Sequence, residues 1–234
     1  MCRRATDRGM SSGADYDRQT IAIMERSLRS DSGCVDVGCH SGSILGEIVR
    51  IAPNGHHYAF EPLPCIFDEL RQRFARLPNV ELFNLALSDS PGPASFQHVV
   101  TNPGYSGLRR RRYDRPNERV VEITVEKATL DDLVPASRRV DFLKVDVEGA
   151  ELEVLRGAIR TIQRNRPFIV FEHGLGGSDF YGTTPQAVYE LINGDCGMSI
   201  SRMESWLDRG ATLSRAQFVQ QFETCENFYF LAHP

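Results

Sequence analysis

Short apolar runs separated by stretches of helical periodicity recur along this chain, and that alternation leaves few folds open to it. Ile21, Met24 and Leu28 stand at helical intervals within 15–30, "GCVDVG" follows as a strand, and Ile44, Ile48 and Ile51 line one face of a helix over 43–52. Residues 56–62 then read as a strand, 65–77 as a helix, and 79–89 as a third strand running into a polar turn. Strand–helix–strand order of this kind builds a parallel sheet covered by helices on both faces. The pattern resumes with a strand at 141–149 and a helix over 150–166 that turns Leu152, Leu155, Ile159 and Ile162 inward. A strand at 167–174 and a helix at 184–195, opened by Pro185, come next, and "GMSISRM" and "NFYFLAH" close the chain as an antiparallel pair.

Between the third and fourth core strands the alternation breaks. Residues 94–100 and 119–130 read as strands or edge ribbons around a polar segment at 101–118, which is a lid or a loose loop, since the core does not need it. The 234 residues fit one domain over 15–234, behind a flexible tail at 1–14. A net charge of −4 gives no basic surface for nucleic acid, and no apolar run approaches the ~20 residues of a membrane span. No apolar core follows the basic start, so the N-terminus does not read as a signal peptide, and a soluble cytoplasmic protein is expected. Cys2, Cys34, Cys39, Cys65, Cys196 and Cys225 show neither CxxC nor zinc spacing and are expected as reduced thiols.

"VDVGCHSG" (35–42) lies where the first strand meets its helix. In open α/β sheets that is where ligands bind, beyond the carboxyl ends of the strands. Gly38 and Gly42 take side chains away where backbone must approach a ligand, and Asp36 in a buried strand needs a partner. Glu61 ends the second strand, where an acid commonly grips both ribose hydroxyls of a nucleoside. The G-x-x-x-G spacing is a poor match to the G-x-G-x-x-G that cradles a pyrophosphate, so a nucleoside without phosphates fits better.

"VDVGCHSG", "AFEP", "NLALSD", "FLKVDVEGAELEVLRGA", "RPFIVFEH" and the terminal "NFYFLA" together resemble the FkbM-type family of S-adenosylmethionine-dependent methyltransferases over roughly 16–233. The K-x-D-x-E-G-A-E block is the most specific part. The resemblance implies a class I methyltransferase (Rossmann-like) α/β three-layer sandwich with seven strands in the order 3-2-1-4-5-7-6, the last antiparallel. It also implies O-methylation of a hydroxyl on a sugar, glycolipid, polyketide or similar natural product. Carried over by position, it sets the methionine end of the cofactor near Asp36, Gly38 and Ser41, with Gly42 in the same turn. Glu61 would hold the ribose, Pro62 and Leu63 would lie beside the adenine, and Leu87, Ser88 and Asp89 would close over its edge. A nicotinamide-dependent oxidoreductase and a non-catalytic nucleoside-binding module are the competing readings.

Methyl transfer to a hydroxyl needs alignment and a base for the hydroxyl proton. Period two puts Phe142, Lys144 and Asp146 on one face, and "FEHG" brings Glu172 and His173 to the end of a neighbouring strand. His173 or Asp146 is the expected base, with Lys144 neutralising Asp146 or Glu172 or holding the acceptor. Asp146, Glu172 and His173 are also able to ligate a divalent metal, although their spacing does not compel one. Glu148 suits the first turn of its helix. His56 and His57 are expected at the surface. The run Arg109 to Arg112 is either solvated loop or a lid over an anionic acceptor; "GGSDFYGTT" and Trp206, placed in a late loop, are candidate acceptor walls. The oligomeric state stays open, a homodimer included.

Overall fold

A computed structural model describes residues 13–113 and 117–234. The expected tail at 1–14 falls outside these except for its last two residues, which already belong to a helix, and residues 114–116 of the insertion also lie outside them. Ten strands form: β1 Cys34–Val37, β2 His57–Phe60, β3 Val80–Phe83, β4 Ala86–Leu87, β5 Gly92–Val99, β6 Val120–Ala128, β7 Phe142–Val145, β8 Phe168–Glu172, β9 Ser199–Arg202 and β10 Tyr229–His233. The helices are α1 Gly13–Ser27, α2 Ser43–Ile51, α3 Pro64–Phe74, α4 Leu130–Leu133, α5 Glu151–Arg156, α6 Ile159–Asn165, α7 Pro185–Tyr189, α8 Met203–Leu207 and α9 Arg215–Thr224.

Seven strands make the main sheet in the order β3-β2-β1-β7-β8-β10-β9. Counted along this sheet alone, that is the expected 3-2-1-4-5-7-6. The first five are parallel, and β10 runs antiparallel to both β8 and β9. The apolar runs are explained by burial on both faces: every residue of β1, β2 and β7 is buried. Tyr16, Ile23 and Met24 of α1 pack with Ile44 and Ile48 of α2 and Met203 of α8 on the face that carries Cys34 and Phe142. The other face, carrying Val35, Leu143 and Phe171, takes Leu130, Leu155, Ile162, Val188 and Phe218 from α4, α5, α6, α7 and α9.

The interrupting segment is a second, three-stranded sheet in the order β4-β6-β5. Its long arms pair antiparallel from Gly92↔Lys127 to Val99↔Val120. The single helix expected over 150–166 is two. Gly157 separates them because a Cβ there would run into the Ser88 carbonyl, and its own carbonyl accepts from the Asp131 N–H at 3.0 Å. Asp131 then restarts the helix, its carboxylate accepting from the Arg160 N–H (2.9 Å) and the Thr161 N–H (2.7 Å), donors that a helix start leaves unpaired.

Three smaller expectations are corrected. Trp206 lies in α8 rather than a loop, packing edge-on against Phe168 under the Arg26 guanidinium. His57 is fully buried and bonds the Ala52 carbonyl at 2.8 Å, because its strand is covered on both faces; only His56 reaches the surface, beside Glu81. Cys34, Cys39, Cys65 and Cys196 are free thiols as expected, whereas Cys225 is disulfide-bonded.

Candidate active site

The carboxyl ends of β1, β2 and β7 open onto a cleft that holds about 570 Å³ of space, open solvent included. Gly38, with φ 72°, turns the chain out of β1 in the left-handed region that glycine adopts without strain, and a Cβ there would meet the Asp146 carbonyl. Opposite it stands Glu61, 5% exposed. One carboxylate oxygen accepts from the His40 N–H at 3.0 Å and the other from the Leu63 N–H at 2.9 Å, which fixes the carboxylate across the cavity. Burial pushes this carboxyl up to about 7 against the pull of those two N–H groups. Phe60, Pro62, Leu63, Leu85 and Leu87 supply apolar walls. Phe96, Pro103, Ser106 and Leu108, from the β5–β6 hairpin and its loop, supply a roof that the sequence did not reveal.

Of the eight positions assigned to the cofactor, Gly38, Glu61, Pro62 and Leu87 line this cavity, as does Leu63. Asp36, Ser41, Gly42 and Ser88 do not. Asp36 is wholly buried behind Lys144, Ser41 is exposed with its carbonyl taken by Arg73, and Ser88 is buried with its hydroxyl 3.0 Å from Glu153. Gly42 is required for a different reason: a Cβ there would lie 2.6 Å from Leu70 and 2.7 Å from Phe74, so the glycine lets α2 close against α3.

Beyond the cavity the strand ends carry a row of charge. Asp36, Lys144, Asp146 and Glu172 share one face of the sheet, as alternation dictates for their registers. Lys144 Nζ lies 3.6 Å from Asp36 Oδ1 and 3.3 Å from Asp146 Oδ2, and donates to the Gly38 carbonyl at 3.4 Å. Burial works against its charge, but Asp146 and Asp36 outweigh that and hold the ammonium above the ordinary lysine range. Burial likewise pushes the Asp36 carboxyl up, with Lys144 pulling the other way. Glu172 is held well above the usual carboxylate range by burial and then by Glu148, Asp146 and Glu151, with Arg111 opposing. Tyr229, on β10, reaches across β8 and donates its hydroxyl to Asp146 Oδ2 at 3.1 Å.

His173 is not part of this row. Glu172 faces it, so its sequence neighbour points through the opposite face of the sheet. There His173 is 1% exposed, stacked at 4.7 Å on Phe222 and 5.6 Å on Phe218, with Nδ1 3.1 Å from the Ser178 hydroxyl. Burial pushes it down to about 4. The group considered for a metal changes accordingly: carboxylate oxygens of Asp146, Glu148 and Glu172 come within 4.8 Å of one another, and His173 is replaced by Glu148.

The arginine run is folded onto the protein at two of its four positions. Arg111 forms an ion pair with Glu148, both side chains largely covered, and its guanidinium sits 4.7 Å from the Tyr105 ring centroid. Arg109 lies over the Tyr181 ring at 5.2 Å, and its N–H donates to the Tyr181 hydroxyl at 2.9 Å. Arg110 and Arg112 are exposed. Tyr181 belongs to the expected acceptor wall, and Gly177 of the same stretch lines a smaller recess with Arg111 and Glu172.

A five-stranded parallel run closed by an antiparallel pair, with a cleft at its carboxyl end, is the class I methyltransferase fold. The chain belongs to the FkbM-domain methyltransferases: the family model described as "Methyltransferase FkbM domain" matches residues 36–211. Among curated relatives, the 2-O-methyltransferase NoeI of Sinorhizobium fredii is 28% identical over 182 residues, 70% of each chain. The hexuronic acid methyltransferase AglP of Haloferax volcanii is 26% identical over 189 residues, 76% of this chain and 68% of that one. A crystal structure of methyltransferase FkbM from Methylobacillus flagellatus superimposes with a TM-score of 0.53 at 14% identity. That match spans 88% of this chain and 44% of the other. Family membership sets aside the nicotinamide-dependent oxidoreductase and the non-catalytic module.

The residues present suit S-adenosylmethionine, the methyl donor of this family. Glu61 offers carboxylate acceptors for ribose hydroxyls. The charged groups lining the cavity are Glu61, Asp146 and Glu148, which match a sulfonium and an ammonium. No lysine or arginine among the described lining residues stands ready for a phosphate.

Proposed function

We propose that this protein methylates a hydroxyl group on a sugar or a similar hydroxyl-rich natural product, with Asp146 taking the hydroxyl proton. The observation that carries the reading is the double position of Asp146: it lines the cofactor cavity and also belongs to the acid row beyond it. Gly38, Glu61, Pro62, Leu63 and Leu87 would hold S-adenosylmethionine, which when bound supplies an electrophilic methyl carbon and departs as a neutral thioether. Lys144 keeps Asp146 charge-compensated inside the sheet, and the covered neighbourhood of Glu148 and Glu172 limits the water that competes for the methyl group. The hydroxyl of an aligned acceptor then has a carboxylate within reach, the usual requirement for general base catalysis.

The names of NoeI and AglP support a sugar acceptor. The geometry favours an uncharged one. Arg111 is committed to Glu148 and Arg109 to Tyr181, and Asp146, Glu148 and Glu172 face the acceptor side. An anionic acceptor would have to be met by the exposed Arg110 and Arg112 or displace Glu148 from Arg111. The test is incubation of the purified protein with S-adenosylmethionine and a panel of neutral and carboxylated sugars, followed by mass analysis for products heavier by one CH2. Methylation at nitrogen or carbon, or of no hydroxyl compound, overturns the reading. A faster rate on uronates than on neutral sugars overturns the charge preference.

A further inference from the structure

Asp146 is gripped at one oxygen and open at the other. Lys144 Nζ approaches Oδ2 at 3.3 Å, and the Tyr229 hydroxyl donates to the same Oδ2 at 3.1 Å. Neither engages Oδ1. Asp146 comes immediately after β7, Glu172 ends β8, and Tyr229 is registered opposite Glu172 on the antiparallel β10. The phenol therefore crosses a whole strand to reach the carboxylate.

The ring that makes this reach is itself fixed. Tyr16 of α1 packs on it with ring centroids 4.5 Å apart, and the Tyr16 hydroxyl accepts from the Phe228 N–H at 3.3 Å while donating to the Asn227 side chain at 3.5 Å. Asn227 in turn donates to the Tyr229 carbonyl at 2.6 Å. Burial, and then the carboxylates of Glu172, Asp146 and Glu148, keep the Tyr229 phenol protonated, so it serves Asp146 only as a donor.

We infer that Tyr229 is a positioning residue for methyl transfer: with Lys144 it immobilises Asp146 through Oδ2 and presents Oδ1 to the acceptor. The hydroxyl proton passes to Oδ1, and the electron pair it leaves stays on the acceptor oxygen, which becomes the nucleophile. A carboxylate free to rotate would offer the same base in fewer productive orientations, and the loss would fall on the chemical step rather than on binding. This inference rests on the reading of Asp146 as the base.

The test compares Tyr229→Phe, Asp146→Asn and the double variant. Phenylalanine keeps the ring against Tyr16 and removes only the hydroxyl. A bond to a charged group is at stake, so kcat is expected to fall about 10- to 100-fold, with KM for S-adenosylmethionine and for the acceptor within about twofold. Affinity for S-adenosylhomocysteine by calorimetry, and the melting temperature, are expected to stay near those of the unaltered protein. In the Asp146→Asn background, adding Tyr229→Phe is expected to cost nothing further, because the group it positions is gone. Unchanged kcat in Tyr229→Phe, a loss confined to KM, or an equal further loss in the double variant overturns the inference. Full activity in Asp146→Asn is a separate result: it removes the base assignment itself.

Discussion

Glu61 receives two backbone N–H groups and still has its carboxyl pushed up to about 7 by burial, so its proposed role in holding the ribose predicts a cofactor affinity that depends on pH near neutrality. Ribose hydroxyls donate best to the ionised form, so affinity for S-adenosylhomocysteine is expected to weaken about tenfold per unit as pH falls below 7. Calorimetry at pH 6, 7 and 8 reads this, and Glu61→Gln should flatten the dependence while weakening binding about 10- to 100-fold at pH 8. For folding the sign reverses. A carboxyl raised from 4.5 to about 7 contributes stability that is fully present below 4.5 and is lost as pH rises through 7. Lys144 and His173 give a second pair of expectations. Lys144→Met leaves Asp36 and Asp146 without their shared cation and should cost about 3–5 kcal/mol in a denaturant titration. His173→Ala should lower stability by about 2–4 kcal/mol, as expected for emptying a packed aromatic site, without abolishing turnover. An inactive but fully stable His173→Ala protein would return that histidine to the chemistry. That Gly38 and Glu61 meet at the strand ends was legible because the sequence sets each just beyond an apolar strand. The sequence grouped His173 with Glu172, but strand alternation sends it to the opposite face, against Phe218 and Phe222.

The β5–β6 hairpin shows what an element can add that its own sequence hides. Its strands were readable as strands or edge ribbons, but Phe96 reaches the cavity through a hairpin whose pairing joins it to Ile123. The loop that follows β5 is fastened by Arg111 on Glu148 and by Arg109 on Tyr181. Breaking a covered ion pair leaves an uncompensated charge, so Arg111→Ala should loosen this loop. Amide hydrogen exchange over 101–113 is expected to accelerate about tenfold or more, with a matching rise in the dissociation rate of S-adenosylhomocysteine. Exchange unchanged from the parent would show that the strap is held elsewhere. The division of α5 from α6 was equally hidden, because Asp131 supplies the second start from a distant turn and a continuous helical period runs through Gly157.

At the scale of the whole molecule, the core strands could be read from the sequence because each carries its burial in its composition, whereas their order in the sheet came from the family resemblance. Asp146 and Glu172 were named together from the sequence, but the contacts that Tyr229 and Arg111 make with this row could not be, since they come from separate regions of the chain. β10 holds this arrangement together, paired with β8 on one edge and β9 on the other. Deleting 227–234 would leave β9 without a partner and β8 paired only with β7, and would remove Phe230 and Leu231 from the core. The truncated protein is expected to lose its cooperative thermal transition, which circular dichroism would record; retention of that transition would mean the sheet tolerates an open slot. The roof over the cavity has the opposite character. Phe96, Pro103, Ser106 and Leu108 all come from 92–128, the segment between β4 and α4. It is a replaceable cassette: exchanging it between related chains would retune how tightly the donor is enclosed while the machinery on β7 and β10 stays in place.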